Sequence, residues 1–343
     1  MGDKAPFIHL HCHTDYSLLD GACEITQMME VVAEQKSPAI AMTDHGNLFG
    51  GSEFYNAAKG QGINGIIGCE MYVTKQPYTV KSAGNRYNHL VLLCENQEGY
   101  RNLIELVSTG YIDGFYQKPR VDKSLLARHS KGLICLSACL RGDVQEALLD
   151  NKYDEAKRLA YEYQDIFGKG NFYLELQDHG LEPDRKVIPE VRRLALDTGM
   201  PLVVTNDAHY LRASDPNAHE AMLCIQTGRT LSDPNHMRFD TPEFYLKTRA
   251  EMEKLFPDDA RALDATWDIA QRCKLKLESV KDPFPVFQIP EKHTIDSYFE
   301  WVARAGFEKR RSKLEILAAQ GKLRYPLDVY EERLTREIRI IQQ

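Results

Sequence analysis

The chain has 343 residues and a formal charge of −7, from 43 Lys or Arg against 50 Asp or Glu. Hydrophobic residues make up 43% and charged residues 27%, a balance that excludes long-range disorder. No stretch approaches the roughly 18 to 20 continuous apolar residues of a membrane helix, and Met1 to Pro6 lacks a signal-peptide pattern. A cytoplasmic protein without a membrane partner is therefore expected. At about 150 residues per domain the length suggests two domains, or one large barrel with an appendage. The acidic balance argues against coating DNA by charge alone, but not against a nucleic-acid enzyme whose local charge is supplied by metal ions.

Seven short apolar or β-branched runs recur along the chain, at 7–11, 39–43, 65–73, 89–94, 133–137, 172–177 and 202–205. Between them lie segments with helical spacing, such as Ile25, Met28, Met29, Val32 and Ala33, or Ala156, Leu159, Ala160, Tyr163 and Ile166. Alternation this regular predicts an α/β fold with parallel pairing. Seven units in about 210 residues favour a closed, TIM-like barrel over an open doubly wound sheet. Barrel enzymes place their chemistry at the C-terminal ends of strands. Thr43-Asp44-His45-Gly46, Ser137-Ala138-Cys139 and Thr205-Asn206-Asp207-Ala208-His209 all follow apolar runs. Glu70, inside its run, and His89, at the start of its run, fit that rule less neatly.

Histidine is the unusual entry in the composition, at 11 residues, and three of these are His9, His11 and His13. A period of two puts all three imidazoles on one strand face, and neighbouring neutral imidazoles suit a divalent cation. A polar strand face or packed core histidines is the bland alternative. Asp20, His45, Glu70, His89, Asp207 and His209 at separate strand ends favour metal. The eight cysteines, Cys12, Cys23, Cys69, Cys94, Cys135, Cys139, Cys224 and Cys273, contain no C-x-x-C pair. Most are therefore expected to be buried thiols in a reducing compartment.

The ordered set His11-x-His13-x3-Ser17, Asp20-Gly21, Thr43-Asp44-His45-Gly46, Gly68-Cys69-Glu70 and Asn206-Asp207-Ala208-His209 resembles the PHP (polymerase and histidinol phosphatase) domain. Asn47-Leu48-Phe49-Gly50, Phe172-Tyr173-Leu174-Glu175-Leu176-Gln177 and Asp207-Ala208-His209-Tyr210 resemble more closely the PHP domain of bacterial replicative polymerase III alpha subunits. The resemblance implies a distorted (β/α)7 barrel at 1–282, then a linker and the helical start of a polymerase palm at 283–343. It also implies up to three divalent ions, Zn²⁺, Mn²⁺ or Fe²⁺, on nine ligands: His11, His13, Asp20, His45, Glu70, His89, Cys139, Asp207 and His209. In that scheme His11, His13, Glu70 and Asp207 hold one ion and carry catalysis through activated water. Glu70 bridges to a second ion completed by His89 and Cys139, and Asp20, His45 and His209 hold the third. Cys135, inside an apolar run, is the competing thiol.

Adjacent divalent ions suit phosphoester hydrolysis, and three of them would outweigh the carboxylates and thiolate of the pocket. The expected activity is 3′–5′ exonuclease proofreading at a DNA primer 3′ end. The alternatives are a PHP phosphomonoesterase, or a scaffold that stabilises the polymerase and docks a separate proofreading subunit. Expected partners are the rest of the polymerase and replisome subunits such as the sliding clamp. The polymerase's own Mg²⁺ site should lie outside this chain, so no nucleotide incorporation is expected from it. Arg86, Arg120, Arg141 and Arg212 read by default as solvated or ion-paired. Arg120, in a basic loop similar to one in the family, is the candidate DNA contact. His179 is equally a loop hydrogen bond or a substrate contact. Near Asp282-Pro283-Phe284-Pro285 the prolines predict the linker, and 298–307, 314–319 and 327–341 read as helices. From Arg304 to Arg339, ten basic residues face six acidic ones, by default a solvated face.

Overall fold

A computed structural model describes residues 5–278, 284–285 and 287–343. The chain divides into two compact units, 1–277 and 278–343. The expected boundary at 282/283 lies outside the described residues. Among the described residues no helix is long and apolar enough to cross a membrane.

The first unit is built on seven strands: β1 Ala39–Met42, β2 Asn64–Thr74, β3 Tyr87–Cys94, β4 Arg120–Asp122, β5 Leu133–Leu136, β6 Phe172–Leu176 and β7 Leu202–Val204. They form one curled sheet in the order β1-β2-β3-β5-β6-β7, with β4 pairing with β2 off that path. Helices connect the strands everywhere but between β2 and β3, and the strands read as nearly unbroken buried runs, as expected when both faces are covered. The α/β barrel-like architecture of the PHP type is thus present.

Three details depart from the sequence reading. The first predicted strand, 7–11, forms no ladder of its own. It is an extended segment that bridges the two edges of the sheet. His9 O accepts from Ala41 N and Cys12 O from Thr43 N on the β1 side, while Ala208 N donates to His11 O and His13 N to Ala208 O beyond β7. Secondly, β3 runs antiparallel to both β2 and β5, because the loop between β2 and β3 carries no crossover helix. Thirdly, β4 was missed. Strand β1 pairs with only 64–67 of β2, and β4 takes over as partner for Tyr72–Thr74.

These details explain the two misfits. The N-terminal end of an antiparallel strand lies where its parallel neighbours have their C-terminal ends, so His89, the third residue of β3, lies at the barrel mouth. Strand β2 outruns the rim, so Glu70 lies level with His45, to which it is bridged.

The second unit contains helices Ile295–Ala319 and Leu327–Ile341. The two predicted segments 298–307 and 314–319 are one helix, N-capped by Thr294, whose hydroxyl accepts from Ser297 N at 3.2 Å. Arg311 joins the two helices by pairing with Glu308 of its own helix and Glu331 of the next.

Candidate metal centre

At the mouth of the first unit the local backbone is bent to bring ligand-type side chains inward. Asp207 and Ala138 both adopt left-handed φ, +45° and +65°, conformations that cost an L-residue on the order of 1 kcal/mol. Ala138 is held there by its N–H, which donates to Glu175 Oε2 at 2.8 Å. Gly46, directly after His45, has φ +64°, and a Cβ would meet Pro119 Cγ at 2.7 Å and the Tyr72 ring at 2.9 Å. Only glycine fits that turn.

The hydrogen bonds set which nitrogen His11, His13 and His209 turn inward. Ser17 Oγ gives its proton to Asp44 Oδ1 at 2.7 Å, so it accepts from His13 Nδ1 at 3.0 Å and leaves Nε2 bare. His11 Nδ1 donates to Glu175 Oε1 at 2.8 Å and His209 Nδ1 to the Asp207 carbonyl at 2.8 Å, which also turns their Nε2 atoms inward. His11 Nε2 then lies 3.3 Å from Glu70 Oε1 and 3.2 Å from Asp207 Oδ1, and His13 Nε2 lies 3.1 Å from Asp207 Oδ1. Glu70 also faces His45 Nδ1 at 2.5 Å and His89 Nδ1 at 2.8 Å, while His45 Nε2 meets Asp20 Oδ2 at 2.9 Å. His219 fixes the Asp20 loop by donating to its carbonyl at 2.7 Å.

Six buried atoms in this cluster make no well-formed hydrogen bond: His11 Nε2, His13 Nε2, Asp20 Oδ1, His45 Nδ1, Glu70 Oε2 and Asp207 Oδ1, five of which crowd one another at 2.5–3.9 Å. A folded protein rarely leaves one such atom unsatisfied, and each costs on the order of 1–3 kcal/mol. Converging imidazole nitrogens and carboxylate oxygens are the donor set of a divalent cation. The donors fall into three overlapping groups, His11/His13/Glu70, His13/His45/His209 and His45/Glu70/His89, with atoms within 4.8 Å of one another in each. The residues present therefore fit a divalent-cation site.

Electrostatics point the same way. Burial alone raises the Glu70 carboxyl, but the His89 and His45 imidazoles outweigh it and hold it well below the ordinary range. Burial likewise works against the Asp207 carboxylate, and His11 and His209 overcome it, holding it low. Burial lowers His45, yet Glu70 and Asp20 raise it to about 10, whereas burial and its histidine neighbours push His13 down to about 3. Without a cation, imidazolium protons supply the positive charge that the carboxylates require. Cations and protons therefore compete for this site.

Eight of the nine expected ligands are thus brought together. Cys139 stands at the edge, its Sγ 3.9 Å from His89 Nδ1 and outside the three donor groups. Burial, then Asp207 and Glu70, pushes its thiol well above the ordinary range. Cys135 is buried, as expected. His9 turns away and donates to the Lys247 carbonyl at 2.8 Å. His179 is a loop residue: it donates to Asn206 O at 2.9 Å and stacks on Phe244 with ring centroids 4.0 Å apart. Arg120 does not have the geometry of a DNA contact. It is 1% exposed, and its guanidinium donates to the carbonyls of Gly114, Asn85 and Val80. Arg212 is paired with Glu34.

Sequence reasoning missed the supporting carboxylates. Glu175 is buried and accepts from His11, Ala138 N, Gln177 and Thr205. Asp44 accepts from Thr14 N, Thr14 Oγ1 and Ser17 Oγ. The available signal was placement, since Glu175 lies in a motif already noted and Asp44 directly precedes His45.

The sequence profile of the PHP domain matches residues 9–179. Three curated relatives are DNA polymerase III alpha subunits. That of Treponema pallidum (strain Nichols) is 42% identical over 95% of this chain and 28% of its own length. Those of Helicobacter pylori (strain ATCC 700392 / 26695) and Thermus aquaticus are 38% and 40% identical, over 99% and 90% of this chain. The chain belongs to the PHP-domain family of DNA polymerase III alpha subunits. It spans 26–29% of the length of those three relatives. Among solved structures it is similar to an amidohydrolase from Chromobacterium violaceum, at 18% identity and TM-score 0.40, over 59% of this chain and 87% of the other. A two-domain protein from Bacteroides vulgatus containing a predicted PHP-like metal-dependent phosphoesterase matches at 16% identity and TM-score 0.39, over 60% of this chain and 52% of the other.

Proposed function

We propose that the chain is a metal-dependent phosphodiesterase that trims DNA from the 3′ end, the proofreading activity of a replicative polymerase. The observation that carries this reading is the convergence of buried imidazole nitrogens and carboxylate oxygens at one mouth, six of them without a well-formed hydrogen bond. His11, His13, Glu70 and Asp207 would hold one ion, with His45, His89, His209, Asp20 and Cys139 completing neighbouring positions. Zn²⁺, Mn²⁺ and Fe²⁺ all suit such mixed donors. When bound, such ions supply the Lewis acidity that polarises a phosphoryl oxygen and makes water a nucleophile at neutral pH.

The chain's own residues set up that chemistry. Glu175 and Ser17 hold the Nδ1 sides of His11 and His13, so their Nε2 atoms are the ones that would face an ion. Glu70 faces four histidines, His11, His13, His45 and His89, and so spans the donor groups. Tyr72 and Phe239 wall the cluster, with ring centroids 6.2 Å from His45 and 5.0 Å from His209. The primer terminus, the rest of a polymerase, the sliding clamp and a separate proofreading subunit are the partners this reading implies, in the cytoplasm.

The test is hydrolysis of a 3′-mismatched primer and of a simple phosphomonoester by metal-replete protein. Release of mismatched 3′ nucleotides by the native chain, abolished in Asp207→Asn, is the expected result. Equal activity of the two proteins would overturn the reading, and cleavage of the monoester alone would favour a phosphatase.

A further inference from the structure

Beside the mouth lies a groove of about 750 Å³, within the roughly 300–1,000 Å³ of ordinary ligand sites. Arg86, Tyr87 and Asn88 line one side of it, and Leu140 and Arg141 another. The first segment runs directly into the donor cluster, since His89 follows Asn88, and the second reaches its edge, where Cys139 precedes Leu140. They are joined there by His89 N and Asn88 Nδ2, which donate to the Arg141 carbonyl at 3.0 and 3.1 Å. Tyr87 belongs to both places. Its ring lies parallel to His89 at 6.3 Å and edge-on to Tyr72 at 4.9 Å.

The lining carries five cationic side chains against two anionic ones, in a chain whose formal charge is −7. The acids are already occupied: Glu146 pairs with Lys75 at 3.1 Å and Asp150 with Lys152 at 2.9 Å. Arg120 is committed to the loop carbonyls. Arg86 and Arg141 remain, both exposed and with no ion-pair partner among the described residues. A guanidinium's planar fork matches phosphate oxygens, and an aromatic ring in the same groove offers a stacking surface for any base.

We propose that this groove holds single-stranded DNA on the 5′ side of the bond to be cut, with Arg86 and Arg141 on its phosphates and Tyr87 against a base. The proposal rests on the exonuclease reading, because a 3′ end placed in the mouth requires a path for the strand behind it. Two phosphate contacts on a single strand contribute about 1.4 to the slope of log affinity against log salt. A charged hydrogen bond lost from each site weakens binding roughly tenfold or more.

The experiment compares the native chain with Arg86→Ala/Arg141→Ala and with the double Arg→Lys variant. Fluorescence anisotropy on a labelled twelve-residue oligothymidylate, in chelator, reads binding without cleavage. The ratio of kcat/KM for that oligonucleotide over a thymidine dinucleotide, with Mn²⁺, reads the contribution of upstream phosphates. The double Ala variant is expected to bind at least about tenfold more weakly, with a salt slope smaller by about 1.4. It should also lose most of the length preference through KM, and the Lys variant should recover part of the binding. Unchanged binding and unchanged length preference in the Ala variant would overturn the groove while leaving the exonuclease standing. Oligonucleotide binding that depends on the two arginines, in a native chain that cuts neither substrate, would sustain the groove and sink the exonuclease.

Discussion

The mouth and the loop beside β4 both bury charged groups, yet they treat them oppositely. Around Arg120 every guanidinium nitrogen has a carbonyl acceptor, at 3.1–3.3 Å, and the side chain is sealed at 1% exposure. At the mouth, His11, His13, Glu70 and Asp207 are also buried, but each keeps one atom without a well-formed hydrogen bond, turned toward the other ligand-type atoms. Full satisfaction marks a charge used to hold backbone. Shared non-satisfaction, with all the orphan atoms aimed at one place, marks a charge reserved for a ligand. The difference separates a structural arginine from a metal site, although residue type alone made both look functional.

The largest effect should come from the mouth itself. Glu70→Gln or Asp207→Asn keeps the shape and removes the charge. Hydrolysis of a 3′ end should fall by ~10³-fold or more, with bound metal lost in parallel by elemental analysis. Full activity in either variant would break the contrast between reserved and satisfied charges. Next comes Glu175→Gln, which weakens the hold on His11 without touching an ion. A carboxylate behind a ligand histidine is worth about 10–100-fold in metal affinity. A titration with Mn²⁺ that finds no weakening would show that Glu175 serves packing alone.

Arg120→Ala probes the other side of the comparison. Three loop carbonyls would lose their donor, costing about 3 kcal/mol of stability. Metal content per folded molecule should stay the same, as read by thermal unfolding and elemental analysis on one sample. A stable variant that has lost its metal would reverse the two roles.

The smallest effect concerns pH. In metal-free protein His45 is raised to about 10 from 6.5 by Glu70 and Asp20, against burial. Its contribution is fully present below about 6.5 and fades as pH rises through 10. Chelated protein should therefore lose stability between those values. Metal-loaded protein should lose less, because the cation replaces the proton. Parallel urea melts with and without chelator give the comparison, and identical pH profiles would count against a shared proton and metal site.

Much of the fold was legible because six of the seven expected runs coincide with strands, β1, β2, β3, β5, β6 and β7, to within a few residues. The direction of β3 was not, since hydrophobic pattern carries no sign of strand polarity. Strand β4, at 120–122, is too short to show a pattern. The histidines and acids of the mouth were readable from residue type at strand ends. Their supports were legible only by placement: that Glu175 and Asp44 hold histidines and backbone rather than face the cluster is a property of the folded packing. Arg120 misled for the same reason, because its charge is visible in sequence and its three carbonyl acceptors are not.

The central claim is that the orphan donors of the mouth exist to hold divalent cations. Elemental analysis of the native chain, purified without chelator and dialysed against Mn²⁺ or Zn²⁺, tests it most directly. The account predicts more than one tightly held ion per chain, up to the three donor groups, and a fall to less than one in Glu70→Gln. Fewer than one ion in the native chain, with the fold intact, would contradict it.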